Sequence, residues 1–143
     1  MTASTDSARR RARELAFRVA YQADVMGEPV GEAWARTRDA EALSDDQREL
    51  IDDVLRLLAG RGEEIDAALR EAARHWEIER LAATDRSVLR MAIAELLGRS
   101  GTPARVVLDE AIDIAKRFGS EESGRFVNGV LDRVVRNLRP DEF

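Results

Sequence analysis

Four arginines crowd the start of the chain. The run Ser7-Ala8-Arg9-Arg10-Arg11-Ala12-Arg13 places Arg9, Arg10, Arg11 and Arg13 within about two turns of a helix. Guanidinium groups at that spacing, beside the free backbone N–H groups of a helix start, suit phosphate oxygens. The same run also fits a solvated basic N-terminus. Aromatic residues are scarce, and Tyr21 and Phe126 are the two that could stack on unpaired bases. Helical patterning by itself places both in the core. Catalytic chemistry finds no glycine-rich phosphate loop, no dinucleotide-binding glycine pattern and no zinc-binding His-Glu motif. The lone histidine, His75, stands beside Trp76 near the end of an amphipathic segment and reads as a surface or packing residue. The adjacent carboxylates Asp52-Asp53 and Asp109-Glu110 point about 100° apart on a helix, so they read as solvated faces and not as metal ligands. A binding protein without catalytic residues, metal or cofactor is the expectation.

Composition agrees. The chain has 143 residues, of which 44% are hydrophobic, 36% charged and 5% aromatic, with 9 Gly and 3 Pro. One helical domain accommodates such numbers; a many-stranded sheet would need more turn residues. The absence of cysteine removes disulfides and thiolate chemistry, and no apolar run is long enough for a membrane span or a secretion signal, so a cytoplasmic protein is expected. The net charge of −5 is unevenly spread. Residues 1–22 hold five Arg against Asp6 and Glu14, whereas residues 39–53 hold seven acids against Arg48. Polarity of this kind gives a basic face for an anion and an acidic face for water or a basic partner. The basic side chains are 22 Arg and the single Lys116; a GC-rich genome would explain such an excess of arginine but not its clustering.

Positioning these residues falls to helices. Ala12, Leu15, Ala16, Val19 and Ala23 recur at steps of three and four, which predicts a first helix that ends around Gly27 to Pro29. A short piece over 30–38 follows. Ser44 with Gln47 forms a capping box for a third helix reaching about Ala59, and Ile65, Ala68, Leu69 and Ala72 mark a fourth. Thr84 or Asp85 can cap a fifth helix closed by Gly98; Thr102 caps a sixth with Pro103 at its first helical position; Ser120 starts the seventh, which stops before Pro140. The expected architecture is therefore all-α, with about seven helices. Its organisation is a flexible tail over 1–7, one domain over 8–139 made of sub-bundles 8–80 and 81–139, and a tail over 140–143.

Read in order, these motifs resemble the NusB family of bacterial transcription antitermination proteins. The resemblance is carried by Ala8-Arg9-Arg10-Arg11-Ala12-Arg13-Glu14 with Tyr21-Gln22, by Asp85-Arg86-Ser87-Val88-Leu89-Arg90 with Glu95-Leu96, and by Glu110-Ala111-Ile112 with Ala115-Lys116-Arg117-Phe118-Gly119. Phe126-Val127-Asn128-Gly129-Val130-Leu131-Asp132 completes it, so that residues 8 to 138 are covered. The resemblance implies two three-helix bundles with a short extra helix. It also implies a non-enzymatic factor that binds the single-stranded boxA element of ribosomal RNA leader transcripts together with the ribosomal protein NusE, then joins NusA, NusG and RNA polymerase to make transcription processive. Transferred residue by residue, Arg9, Arg10, Arg11 and Arg13 fall on the family's RNA-binding element. Tyr21 and Phe126 fall on aromatic positions of its RNA surface, with Glu122, Ser123 and Asn128 close by. Two departures, Ala94 in place of Tyr and Asp109 in place of Asn, lie in the bundle that contributes to the NusE face.

Two other readings accompany this one. A helical protein–protein adaptor would use the arginines for solubility alone. A module like that of ribosomal RNA cytosine methyltransferases would need a methyl-donor domain, which these 143 residues do not contain. A homodimer that covers the Arg-rich run is compatible with either patterning.

Overall fold

The computed structural model describes the backbone of residues 2–142 and the side chains of residues 7–142; Met1 and Phe143 lie outside the described residues. Seven helices follow one another: α1 (Thr2–Met26), α2 (Val30–Thr37), α3 (Asp45–Gly60), α4 (Gly62–Ala72), α5 (Ala83–Gly98), α6 (Ala104–Phe118) and α7 (Glu121–Leu138). Single 3-10 turns occupy Ile78–Arg80 and Pro140–Glu142. Among the described residues there is no strand.

The local reasons are mostly those of the sequence. Gly27 adopts φ 69°, the left-handed conformation that ends a helix without a Cβ penalty, and Pro29 leads into α2. The capping box is formed: Ser44 Oγ accepts from the Gln47 N–H at 3.1 Å, and Gln47 Oε1 accepts from the Ser44 N–H at 2.9 Å. Ser120 caps α7 by accepting from the Ser123 N–H at 3.1 Å. Arg61 ends α3 and starts α4 at once, so no loop separates them.

Four expectations need correction. Helix α1 already starts at Thr2, so residues 2–7, expected as tail, are helical in backbone. Neither Thr84 nor Asp85 caps α5; the N-cap is Ala82, with no side-chain cap. Arg86 instead satisfies nearby carbonyls, donating to Ile78 O and Leu81 O at 3.1 and 3.0 Å. At α6 the N-cap position is Pro103 and not Thr102. Its first free N–H, on Ala104, is accepted by the Glu142 carboxylate at 2.7 Å, so the residues expected as a C-terminal tail supply a helix cap.

Helix α5 is the axis of the molecule. Its sequence is apolar around most of its circumference, the pattern of a helix buried on all sides, and Val88, Leu89, Met91, Ala92, Ile93, Ala94 and Leu96 are all buried. It packs against α1, α3 and α4 on one side and against α6 and α7 on the other. One hydrophobic core therefore runs through both groups of helices. Behind α5, the Arg139 guanidinium reaches Leu96 O, Arg99 O and Thr102 O at 2.8, 3.1 and 2.6 Å, pinning the α5–α6 turn to the end of α7.

Candidate nucleic-acid interface

Helical phase divides the arginine run. Arg13 shares the phase of Ala16 and Ala20, so it falls on the buried stripe of α1. It is 4% exposed and meets Glu95, 1% exposed on α5, with Nη2 to Oε2 at 2.6 Å and Nε to Oε1 at 3.0 Å. A guanidinium and a carboxylate in this geometry satisfy one another, and each would be strongly destabilising if left alone. Arg13 is thus corrected from a phosphate contact to an internal strut that fixes the rotation of α1 on α5.

Its neighbours have different fates. Arg9 turns towards the start of α3, donating from Nε and Nη2 to both oxygens of Asp46 at 3.2 Å, while Gln47 Nε2 donates to Ala8 O at 2.9 Å. The Arg9 hydrogen bonds hold the Asp46 carboxyl below its ordinary range. Arg10 makes a two-pronged contact with Glu110 of α6, at 3.1 and 3.2 Å, and keeps an exposed outer edge. Arg11 is exposed and makes no ion pair among the described residues. The acidic stretch is largely engaged within the chain: besides Asp46, Asp39 pairs with Arg48, Asp52 with Arg38 and Trp34 Nε1, and Asp53 with Arg99. Asp109 pairs with Arg105 on exposed α6, whereas Ala94 is fully buried and acts only through packing of α5. Among the described residues no group of three or more His, Asp or Glu is arranged to hold a metal ion.

The outward side of α1 forms the first candidate surface. Arg11 and Arg18, seven residues apart and so nearly in phase, line a shallow depression against Glu41, Ala42 and Leu43. Tyr21 is 38% exposed, and its ring leans on buried Phe17 at 5.9 Å, which in turn meets Phe118 at 5.1 Å. The guanidinium groups of Arg18 and Arg117 lie over the Phe118 ring at 5.4 and 5.7 Å, and Arg117 also pairs with Glu14. Tyr21 is therefore a braced, partly exposed ring next to cations, an arrangement on which an unpaired base can stack. Arg18, Arg117 and Phe118 were not among the residues expected at the RNA surface, although Arg18 lies two helical turns after Arg11 and was recognisable by phase.

Phe126 belongs to a second surface. Its ring meets Trp76 edge to face, at 5.4 Å and 74°, between α7 and the end of α4. Glu122, four residues earlier, shares the flank of α7 that carries Phe126; Ser123 lies at the helix start, where its N–H is held by Ser120. Asn128 is exposed but about 200° around the helix from Phe126, on the opposite flank of the buried stripe. Tyr21 and Phe126, expected on one RNA surface, thus pack against different neighbours, and Asn128 lies on the other flank of α7 from Phe126.

A family model described as the NusB family matches residues 10–136. The chain is 41% identical over 135 residues to the transcription antitermination protein NusB of Anaeromyxobacter dehalogenans, 94% of each chain being covered. It is also 41% identical over 142 residues to that of Koribacter versatilis, covering 96% of this chain and 94% of the relative. Among solved structures, T. maritima NusB superposes with a TM-score of 0.84 at 34% identity, over 94% of both chains. A crystal structure of antitermination factors NusB and NusE in complex with dsRNA gives 0.76 at 30% identity, over 92% of this chain and 98% of that one.

Proposed function

This chain belongs to the NusB family, and from that premise we propose that it is an RNA-binding transcription antitermination factor that acts with NusE on the boxA element of ribosomal RNA leader transcripts. The observation that carries the reading is the outward stripe of α1, where Arg11 and Arg18 are exposed, make no ion pair among the described residues and lead up to the braced ring of Tyr21. Cations fix the backbone of a strand, and an exposed ring takes an unpaired base, so affinity comes from the first and base preference from the second. Arg10 and Arg117 stand at the edges of that stripe, each able to exchange a carboxylate for a phosphate. The protein works by binding and not by catalysis. RNA and NusE are its direct partners in the cytoplasm; NusA, NusG and RNA polymerase join the assembled pair. Any homodimer competent for this role leaves the α1 stripe uncovered.

The relative crystallised with NusE holds double-stranded RNA, which makes strandedness the point to test. Fluorescence polarisation of labelled boxA RNA, a scrambled strand and a boxA duplex, with and without NusE, separates the cases. Preference for the single boxA strand, strengthened by NusE, is the expected result. The log–log salt slope should be about −2 to −3, for roughly four phosphates neutralised on a single strand. Equal weak binding to all three RNAs in the presence of NusE would overturn the reading and leave the helical adaptor.

A further inference from the structure

We propose that the cavity between α1, α3, α4 and α5 is a binding site for a linear aliphatic diamine, with one ammonium group held by Asp24, Asp66 and the Ser87 hydroxyl and the other turned to Glu28. Ala20 and Ala23, which line it from α1, belong to the buried stripe and not to the outward one that carries Arg11 and Arg18. The inference therefore stands apart from the RNA-binding reading.

The cavity holds about 270 Å³, which is small for a ligand site and fits a short molecule. Three carboxylates line it, Asp24 from α1, Glu28 from the turn before α2 and Asp66 from α4, against one guanidinium, that of Arg90 from α5. Arg90 donates from Nε and Nη2 to the two oxygens of Asp66 at 2.9 and 3.0 Å, and from Nη1 to Asp24 at 3.3 Å. Beside it, Arg86 donates from Nε and Nη2 to Asp24 Oδ2 at 3.1 and 2.6 Å, and from Nη1 to Ile78 O and Leu81 O. Every nitrogen of both guanidinium groups is already donating. A carboxylate accepts about four hydrogen bonds, so the capacity left over is that of acceptors, and it calls for a ligand rich in donors.

Ser87 supplies an independent indication. It lines the cavity from α5, is 2% exposed, and its Oγ has no hydrogen-bond partner among the described residues. Glu95, also polar and buried on α5, is satisfied by Arg13. A buried hydroxyl without a partner weakens a fold. At Ser87 it shares a concavity with three carboxylates, where a donor from a ligand would satisfy it.

Acceptors from several sides match a primary ammonium, which brings three N–H donors and a positive charge on one small head. The walls are aliphatic, from Ala20, Ala23, Leu58 and Ile65, and the lining contains no ring, so they fit a methylene chain. Glu28 belongs to a separate ion pair, with Arg36 on its Oε1 at 2.6 Å. It gives the cavity a second acidic pole, and the ligand a second ammonium.

The test is titration calorimetry of the full chain with putrescine at constant ionic strength, beside butanediol and Nα-acetyl-lysine amide. Putrescine should bind one to one and saturably, and butanediol should not bind. Ser87→Ala should weaken putrescine binding about fivefold without lowering the melting temperature, since the hydroxyl removed has no partner in the chain. Glu28→Gln should also weaken it about fivefold. Arg36→Ala, a change at an exposed side chain, should tighten it about threefold, because Glu28 is then released to the amine. Absence of saturable binding, or equal affinity in Ser87→Ala and Glu28→Gln, would overturn the proposal and leave only diffuse attraction to a chain of net charge −5. Nα-acetyl-lysine amide binding as tightly as putrescine would overturn it as well, by making the occupant a lysine of a partner protein and not a free diamine.

Discussion

The two basic surfaces differ in what their arginines already hold. Along α1, the residues that look most like a phosphate-binding run are largely occupied: Arg9 by Asp46, Arg10 by Glu110 and Arg13 by Glu95. In the groove that Trp76 and Phe126 line between α4 and α7, Arg74, Arg125 and Arg133 come together around an exposed indole and make no ion pair among the described residues. Clustering in sequence therefore measures the density of charge, whereas availability depends on which carboxylates the fold brings opposite. A guanidinium in a two-pronged ion pair must release its partner before it can take a phosphate; an unpaired one needs only to lose water.

The comparison breaks most visibly at Arg13. Glu95→Ala should destabilise the fold by about 3–5 kcal/mol, because it leaves a buried guanidinium unpaired; urea unfolding followed by circular dichroism measures this. The paired replacement Arg13→Met with Glu95→Leu should recover most of that loss, which would mark the pair as architectural. A smaller effect is expected at Tyr21, where alanine should cost about 1–3 kcal/mol in RNA affinity with little change in unfolding midpoint. Smaller again is the contrast between Arg11→Ala and Arg9→Ala. The first should reduce the salt slope of RNA binding by about 0.7, and the second by less, since Arg9 is held by Asp46. The smallest effect concerns pH. Arg9 lowers the Asp46 carboxyl, and the Ala104 N–H, helped by Arg139, lowers that of Glu142. Both groups therefore contribute stability that is present above their ordinary carboxylate values and lost as pH falls through their depressed ones. Thermal melts between about pH 5 and 2 should show Asp46→Asn and Glu142→Gln converging on the parent at the acid end.

Much of the architecture was legible because it is local. The Ser44–Gln47 box, the Ser120 cap and the apolar steps of α6 and α7 are contained within a few residues, and the structure reproduces them. Arg13 was misassigned by reading a run of like charges in one dimension, although its phase with Ala16 and Ala20 marked it as internal. Its partner was also visible: Glu95 is the only charged residue between Met91 and Leu97, and a lone carboxylate in such a run needs a buried cation. The cap on α6 was not legible, because Glu142 follows Ala104 by 38 residues and nothing local links them. The Trp76 groove was partly so: His75 beside Trp76 is visible in the sequence, but the cations across from it lie on α7, and only the packing of α4 against α7 assembles the set.

The clamp formed by Arg139 and Glu142 also imposes an order in time. Chains are made from the N-terminus, and the turn between α5 and α6 is held by groups that come after α7. While the ribosome is still adding α7, the start of α6 has no carboxylate to accept from its first amide. The turn before α6 and the α6–α7 pair are therefore the last part of the fold to close.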